Sequence, residues 1–274
     1  MTDGIAQARQ AFRKLHSDGI FLLPNPWDVG SAKVFAHQGF KALASTSTGL
    51  AWTLGKPDYA ITMDEVLAHL KSLSHATTLP VNADFESGFS NDPEGVAINV
   101  ARAIETGVAG ISIEDRRVGD LDTLFDDKTS VERIKAAKQA ILKSGNDVVL
   151  VGRTERLLID PTAVSKSIDT LVALAEAGAD CLYAPGLNGK ENITAAIKAL
   201  SPKPLNVLTM GPKMPGVDFE ELKQLRVRRV SVGGALSLVG WGAIERAGEA
   251  LLSGKFEILA EGMPRADLNR IFAG

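Results

Sequence analysis

Two neighbouring segments decide the fold: residues 79–86 read LPVNADFE, and residues 108–115 read VAGISIED. Each is a short apolar run that passes into carboxylates, as expected for a buried parallel strand that ends at a polar edge. Between them, Asp92-Pro93 opens a stretch with helical periodicity, and Gly107 closes it. The sequence therefore predicts a strand, a helix and a second parallel strand.

The same pattern recurs along the whole chain. Eight apolar runs each precede polar residues or glycine: Ile20–Leu23, Ala42–Ala44, Leu79–Val81, Ile111–Ile113, Val148–Val151, Cys181–Tyr183, Leu205–Leu208 and Val230–Val232. Stretches with helical periodicity separate most of them, which predicts an α/β fold with a parallel sheet and outer helices. Eight repeats favour a (β/α)8 TIM-type barrel, whose chemistry gathers at the C-terminal ends of the strands.

The length fits one such barrel. The chain has 274 residues, close to the roughly 250 that are typical of this fold, so we expect a single domain over residues 1–274. Residues 3–18 predict an N-terminal helix that caps the bottom of the barrel. Residues 254–274 predict a C-terminal helical extension, whose apolar residues would be buried on its own barrel or on a partner subunit.

Composition excludes several classes of function. The formal net charge is −3 with no long run of like charge, so we expect no nucleic-acid partner. No apolar stretch approaches the ~18 residues of a membrane span, and residues 1–13 lack the apolar core of a signal peptide. We therefore expect no membrane partner and a cytoplasmic location. The single cysteine, Cys181, lies in the sixth apolar run and is expected to be a core residue.

Acidic and amide side chains after the third and fourth runs suggest a metal site. Asn82, Asp84 and Glu86 alternate along an extended chain and would point the same way, and Glu114 follows the neighbouring strand. Oxygen ligands of this kind suit Mg2+, which takes one or two carboxylates and keeps waters or substrate oxygens. Helix capping and salt bridges are the alternative explanation for these acids.

An arginine and a run of small donors complete the predicted rim. Arg153 ends the fifth run and could bind a carboxylate or phosphate, or pair internally with Glu155 or Glu114. Residues 45–49 read STSTG, and such a run can hold an anion or form a plain turn. Two connections, Ser45–Ile61 and Arg116–Ser130, are long enough to be lids.

These segments together resemble the isocitrate lyase/phosphoenolpyruvate mutase superfamily. The resemblance rests on LPNPWDVGSAKVFAHQGFKALASTSTGLAWTLGKPD, PVNADFESGF, GISIEDR and VGRTE, in this order, and runs from about Phe21 to Gly233-Gly234. It implies Mg2+-dependent cleavage or formation of a C–C or P–C bond in small 2-oxo acids or related carboxylates, through enolate intermediates, with Mn2+ as an alternative metal.

The resemblance also implies roles for individual residues. Thr46, Ser47, Thr48 and Gly49 match the loop that holds the substrate carboxylate and oxo group, and Asp58 matches an active-site acid. Asp84 matches the principal metal ligand, Glu114 a carboxylate that reaches the metal through water, and Arg153 the arginine that binds the anionic end of the substrate. By position alone, Tyr183, at the tip of the sixth run, and Asn206, on the seventh, are further candidates for contact with substrate or with a residue that binds it.

Two departures from the family pattern limit the activities that the resemblance implies. Asn82 stands where many members carry aspartate, and Glu86 would compensate for the lost charge as a metal ligand. The lyases carry a Lys-Lys-Cys-Gly-His loop, whereas residues 116–130 contain neither cysteine nor histidine. Isocitrate and methylisocitrate lyase activities are therefore not expected.

The sequence thus predicts a Mg2+-dependent lyase or decarboxylase that cleaves a C–C bond in a small 2-oxo or 2-hydroxy carboxylate. Asp58, Glu114 and Arg153 are the predicted catalytic residues. A mutase or hydrolase that acts on P–C bonds in phosphonopyruvate-like substrates is one alternative, and a catalytically silent, metabolite-binding barrel is another. The family resemblance further implies a homo-oligomer, a dimer or a tetramer, with the C-terminal helix exchanged between subunits.

Overall fold

Eight parallel strands form a nearly closed barrel in the computed structural model, which describes residues 2–211 and 213–273. In barrel order along the chain they are β1 (Phe21–Leu23), β2 (Leu43–Ala44), β3 (Val81–Asp84), β4 (Gly110–Glu114), β7 (Val149–Arg153), β8 (Cys181–Tyr183), β9 (Leu205–Leu208) and β10 (Arg229–Ser231). The sheet order runs from β1 through β10 back to β2. The gap between β1 and β2 is bridged where the Ala44 amide donates to the Pro24 carbonyl at 3.0 Å. The predicted (β/α)8 barrel is confirmed.

Helices surround the barrel in the order that the sequence pattern predicts. They are α1 (Thr2–Leu15), α2 (Val29–His37), α3 (Ser47–Thr53), α4 (Met63–Ala76), α5 (Pro93–Glu105), α6 (Asp127–Ser144), α7 (Arg156–Ile159), α8 (Val164–Glu176), α9 (Lys190–Leu200), α10 (Phe219–Gln224), α11 (Ala235–Leu252) and α12 (Arg265–Ala273), with a 3-10 helix at Glu257–Glu261. In the described ranges no helix has both the length and the apolar character needed to cross a bilayer.

The alternation of side chains along each strand separates two apolar regions. Outward residues such as Ile111 and Leu150 pack beneath the helices. Inward residues such as Leu23 and Val151 fill the barrel together with Phe12, which α1 inserts from the bottom. Arg9 in α1 donates to the Val108 carbonyl just before β4, which fixes the helix across that end. Apolar side chains therefore close the end of the barrel where the strands begin. The polar residues lie at the other end, where the strands finish, which we call the mouth.

Some element boundaries differ from the sequence prediction. The third strand is Val81–Asp84 rather than Leu79–Val81, because Pro80 lacks the N–H that a ladder needs and stands just before the strand. The N-terminal helix covers Thr2–Leu15 rather than residues 3–18, since the chain turns at His16. Asn82 and Asp84 thus lie inside the strand, and their side chains face the barrel interior.

The two long connections are ordered elements. The connection 45–61 contains α3, whose Leu50 and Ala51 are buried against the core, so its first half is not an open loop. The connection 116–130 contains an antiparallel hairpin of β5 (Arg116–Arg117) and β6 (Asp120–Leu124), whose second strand is largely exposed. The hairpin stands above the end of β4, at the mouth.

The C-terminal segment returns to the barrel surface. Helix α12 packs on α2, where Lys33 Nζ donates to the Phe272 carbonyl at 3.1 Å and the Phe272 ring lies against Gly30. By contrast, only Ser237 is buried among the 18 residues of α11. The eighth helix of the barrel therefore leaves most of its own surface uncovered.

Two histidines whose Nε2 atoms are buried, His16 and His69, predict a pH-dependent stability. Burial lowers the pKa of His69 in α4 to about 4 and that of His16 to about 3. The folded protein thus holds both rings neutral, whereas the unfolded chain protonates them near pH 6.5. The contribution of the neutral rings to the free energy of unfolding is complete above that pH. It decreases by about 2 kcal/mol for each ring as the pH falls from 6.5 to 5.

Urea unfolding at pH 7 and pH 5 measures this effect. We expect His69→Leu to reduce the loss of unfolding free energy between these pH values. His75→Leu is the matched control, because His75 is exposed on the same helix. An equal loss in the wild type and His69→Leu would show that His69 is not held neutral.

Candidate active site

Asp84 lies at the centre of the barrel mouth. Its Oδ2 accepts hydrogen bonds from the backbone N–H and the hydroxyl of Ser47, both at 2.9 Å, and its own N–H donates to the Ser45 hydroxyl at 2.8 Å. These bonds tie the end of β3 to the start of α3. The Asp84 side chain keeps 18% of its surface exposed, so the carboxylate is fixed and still reachable from solvent.

Arg153 links three carboxylates. Its Nη1 lies 3.1 Å from Asp84 Oδ1, and its Nε lies 3.2 Å from Glu114 Oε2 and 2.5 Å from Glu155 Oε1. The guanidinium also lies over the Tyr183 ring, 5.1 Å from its centroid. The internal pairing that the sequence left open is therefore present. No hydrogen bond joins Arg153 Nη2 to the rest of the described chain, which leaves its two N–H donors for another anion.

The connection after β2 folds over the mouth and adds two contacts. The Tyr59 hydroxyl donates to Glu114 Oε1 at 3.0 Å, and the Thr48 hydroxyl donates to Asp58 Oδ2 at 2.9 Å. Arg116 stacks on the Tyr59 ring at 5.5 Å and reaches Glu155 at 3.5 Å. The connection thus places a hydroxyl on each of two acids of the mouth, Thr48 on Asp58 and Tyr59 on Glu114.

Glu86 is an unusual member of the group. It has a positive φ of 45°, a backbone conformation that a residue with a Cβ rarely adopts. Its side chain is buried, and Oε1 has no hydrogen-bond partner among the described residues. Strain of this kind together with an orphaned acceptor is typical of functional sites.

The mouth holds more acidic than basic groups. Five carboxylates surround two arginines, Arg153 and Arg116: Asp58, Asp84, Glu86, Glu114 and Glu155. Burial, reinforced by the charges of Asp84 and Asp58, raises the pKa of Glu86 to about 8. Burial also raises the pKa of Glu114, which Arg153 opposes, and that of Asp58, which the bond from Thr48 opposes. Full ionisation of the five carboxylates would leave the cluster short of positive charge, which a bound cation would supply.

These residues fit a hard divalent cation. In residues 2–211 and 213–273, no three His, Cys, Asp or Glu side chains converge into a complete cage. Mg2+ needs no such cage, since it uses one or two carboxylates and keeps waters. The reachable Asp84 carboxylate, the orphaned Glu86 oxygen and the charge deficit are the features that suit it. Asp84, Glu86 and Glu114 are the residues that would hold such an ion.

The remaining predicted residues lie in different positions. Thr46 caps α3 by accepting from the Gly49 N–H at 3.2 Å, so this pair shapes the loop. Asn82 is buried below Asp84 and accepts from Arg229 at 3.3 Å. Asn206 is buried on β9 and donates to the Ser231 hydroxyl at 2.9 Å. The structure brings Ser47, Asp84, Glu114 and Arg153 together and sets Asn82 and Asn206 deeper in the barrel.

Three contributors were missed by sequence reasoning. Tyr59 directly follows the predicted Asp58, but its contact with Glu114 spans 55 positions in the chain. Glu155 was considered only as a partner for Arg153, yet its side chain is fully buried there. Arg229 lies close in sequence to Arg226 and Arg228, and sequence reasoning assigned it no role. The alternation Arg229-Val230-Ser231 at the start of a buried run was the signal that could have assigned it to the interior.

Comparison with known proteins identifies the family. The family model for phosphoenolpyruvate phosphomutase matches residues 12–252. The chain belongs to the isocitrate lyase/phosphoenolpyruvate mutase superfamily. An oxaloacetate decarboxylase from Rhodopseudomonas palustris (strain ATCC BAA-98 / CGA009) is 30% identical over 253 residues, which cover 88% of this chain and 84% of that protein.

Solved structures of this superfamily superpose closely on the barrel. A protein of Burkholderia cenocepacia J2315, provisionally classed as a lyase/mutase, has a TM-score of 0.95 and 40% identity, covering 99% of this chain and 98% of its own. A 2,3-dimethylmalate lyase has a TM-score of 0.88 and 28% identity, with coverage of 97% and 94%. Superfamily relatives of this chain are thus lyases and decarboxylases of small carboxylates.

Proposed function

We propose that this superfamily member cleaves a C–C bond in a small 2-oxo or 2-hydroxy carboxylate, as a Mg2+-dependent lyase or decarboxylase that forms an enolate. The observation that carries the proposal is the set of three carboxylates that contact Arg153, in which Asp84 is reachable from solvent while Glu114 and Glu155 are buried. Names of relatives support the same reaction class, since they include an oxaloacetate decarboxylase and a 2,3-dimethylmalate lyase.

The residues at the mouth suit the separate parts of such a reaction. When bound at Asp84, Mg2+ would act as a Lewis acid toward the 2-oxo group. Arg153 would orient the substrate carboxylate through its uncommitted Nη2. The Tyr59 hydroxyl, which is held by Glu114, would hold or move a proton next to the reacting carbons, since burial and Glu114 raise the pKa of Tyr59 and keep it protonated.

The hairpin of β5 and β6 over the mouth is consistent with a reaction that does not use the lyase cysteine. The hairpin of β5 and β6 contains no cysteine or histidine, and Cys181 is buried in the barrel on β8. A general acid in this protein must therefore come from another group, and Tyr59 and Asp58 are the candidates that border the mouth. A hairpin without cysteine or histidine favours decarboxylation or a dimethylmalate-type cleavage over isocitrate cleavage.

A substrate screen tests the proposal. Pyruvate release is measured from oxaloacetate and 2,3-dimethylmalate with Mg2+ or Mn2+, with subtraction of the metal-catalysed background, and phosphonopyruvate turnover is followed by phosphorus NMR. We expect release from an oxo or hydroxy acid. Turnover of phosphonopyruvate alone would favour P–C chemistry, for which the phosphomutase family model is the support. No turnover of any substrate would favour a silent, metabolite-binding barrel.

An oligomer is part of the proposal, since α11 exposes an apolar surface. Its large apolar residues are exposed by 41–67% at Leu238, Val239, Trp241 and Ile244. Leu22, on the outer face of β1, is also 39% exposed, although outward strand residues of a barrel are normally covered by helices. A patch of this kind on a monomer indicates an interface. We infer that a second copy of the chain covers it, in a dimer or tetramer.

Charge placed on this surface should dissociate the oligomer. We expect Val239→Glu/Ile244→Glu to shift the mass in light scattering from a multiple of 29.0 kDa to that of one chain, because two buried unpaired carboxylates would oppose association. Ile98→Glu is the control, since Ile98 is exposed on α5, away from this surface. A wild-type protein that is monomeric at tens of micromolar would contradict the inference.

A further inference from the structure

Arg229 is a buried arginine that the proposed reaction does not use. It is 3% exposed and its side chain points into the barrel from β10. Nη1 makes a long hydrogen bond of 3.3 Å to Asn82, and Nε is buried without a partner. In residues 2–211 and 213–273, no carboxylate lies within 4.0 Å of it, in contrast to Arg153, which contacts three.

Further unpaired polar atoms lie on the strand next to Arg229 and in the lining of the same cavity. Asn206 Oδ1 and Ser112 Oγ are buried and lack partners, as Arg229 Nε does. Asn206 is the strand neighbour of Arg229, and the same register continues through Tyr183 to Arg153. An interior that leaves a charge and two polar atoms unpaired at one place costs stability unless something fills it.

A cavity connects the unpaired group with the mouth. It has a volume of about 40 Å³, and Asp84, Arg153, Tyr183, Asn82 and Arg229 are among its lining residues. One water molecule needs about 10–15 Å³ on this scale, so the space suits about three heavy atoms. A planar carboxylate group has three, whereas a tetrahedral sulfate or phosphonate group is larger.

We propose that Arg229 is a carboxylate-binding residue of this site and that the cavity between Arg229 and Arg153 receives one planar carboxylate group in preference to a tetrahedral oxyanion. The inference deepens the proposed function and rests on it for the identity of the substrate. The positive charge of Arg153 is already shared among Asp84, Glu114 and Glu155. Arg229 carries the charge that no protein carboxylate neutralises, so it supplies the stronger attraction for an incoming anion.

Calorimetric titration with pyruvate and with sulfate tests the proposal on the intact protein in the presence of Mg2+. We expect pyruvate to bind the wild type and to bind Arg229→Met at least about tenfold more weakly, the loss expected for one charge-assisted hydrogen bond. Sulfate should not displace pyruvate. Arg228→Met is the matched control, because it removes the same charge one position earlier, where Arg228 donates outward to the Gly19 carbonyl.

Thermal unfolding without ligand separates binding from folding. Removal of an unpaired buried charge should leave the melting temperature of Arg229→Met equal to or above that of the wild type. A decrease of more than about 5 °C would identify Arg229 as a structural residue and overturn the proposal. Equal pyruvate affinity in Arg229→Met and the wild type, or displacement of pyruvate by sulfate, would overturn it as well.

The outcomes are distinguishable from failure of the proposed function. Turnover of an oxo acid combined with unchanged binding in Arg229→Met would leave the proposed function standing and reject the role of Arg229. Pyruvate binding that depends on Arg229, without turnover of any substrate in the screen, would support the carboxylate site and reject the enzyme.

Discussion

Asp84→Asn is expected to lower kcat/KM by about a thousandfold or more, which corresponds to about 4 kcal/mol of lost transition-state stabilisation. The substitution keeps the size of the side chain and removes its charge. Among the three carboxylates that contact Arg153, Asp84 is the one that is both fixed, by two bonds from Ser47, and reachable from solvent. Without its charge, the site would lose a carboxylate that is proposed to hold Mg2+.

Metal affinity provides a readout that is independent of turnover. Titration with Mn2+ should give a dissociation constant at least about tenfold higher for Asp84→Asn than for the wild type. Asp92→Asn is the matched control, because Asp92 caps α5 outside the mouth by accepting from the Gly95 N–H. Retention of normal Mn2+ affinity and of kcat/KM by Asp84→Asn would remove Asp84 from the metal site.

The barrel and the strand-end residues could be predicted because they depend on local pattern. Parallel strands that are buried on both faces appear as apolar runs, and their C-terminal ends meet at one edge. Asp84, Glu114 and Arg153 end three such strands, and the structure brings them within salt-bridge distance. The prediction needed only the order of the elements and the alternation of side chains.

The contacts across the mouth could not be predicted in the same way. Tyr59 reaches Glu114 because α3 turns the connection back over the barrel, and Tyr59 itself takes a positive φ of 61°. The sequence left residues 45–49 as either an anion-binding loop or a plain turn, and the structure uses Thr46 as a helix cap. These outcomes depend on tertiary packing, which overrides local composition.

The partners of the two buried arginines, Arg153 and Arg229, likewise could not be predicted from the sequence. The sequence left two interpretations of Arg153 open, binding of a substrate anion or pairing with a carboxylate of the protein. They are compatible, because a guanidinium has five N–H donors. Arg229 was not assigned to the interior, because the alternation Arg229-Val230-Ser231 is a weak signal in so short a strand. Only the register, which places it beside Asn206, assigns it to the interior.

Arg153→Lys is the second change with a large expected effect, an increase in KM of about tenfold or more. Lysine keeps the positive charge, so the carboxylates of Asp84, Glu114 and Glu155 are not left without a counter-charge, whose loss would destabilise the fold by about 3–5 kcal/mol. An ammonium group cannot, however, span three carboxylates and still offer the planar Nη2 donors to a substrate.

The two roles of Arg153 are separated by measuring KM and stability together. A purely structural arginine would lower the melting temperature of Arg153→Lys and leave the KM of the folded fraction unchanged. A substrate-binding arginine raises KM in protein that is still folded. Arg156→Lys is the control, because Arg156 pairs with Asp127 at 3.2 Å next to the same strand end, without bordering the central cavity. A near-normal KM for Arg153→Lys would assign anion binding to Arg229 alone.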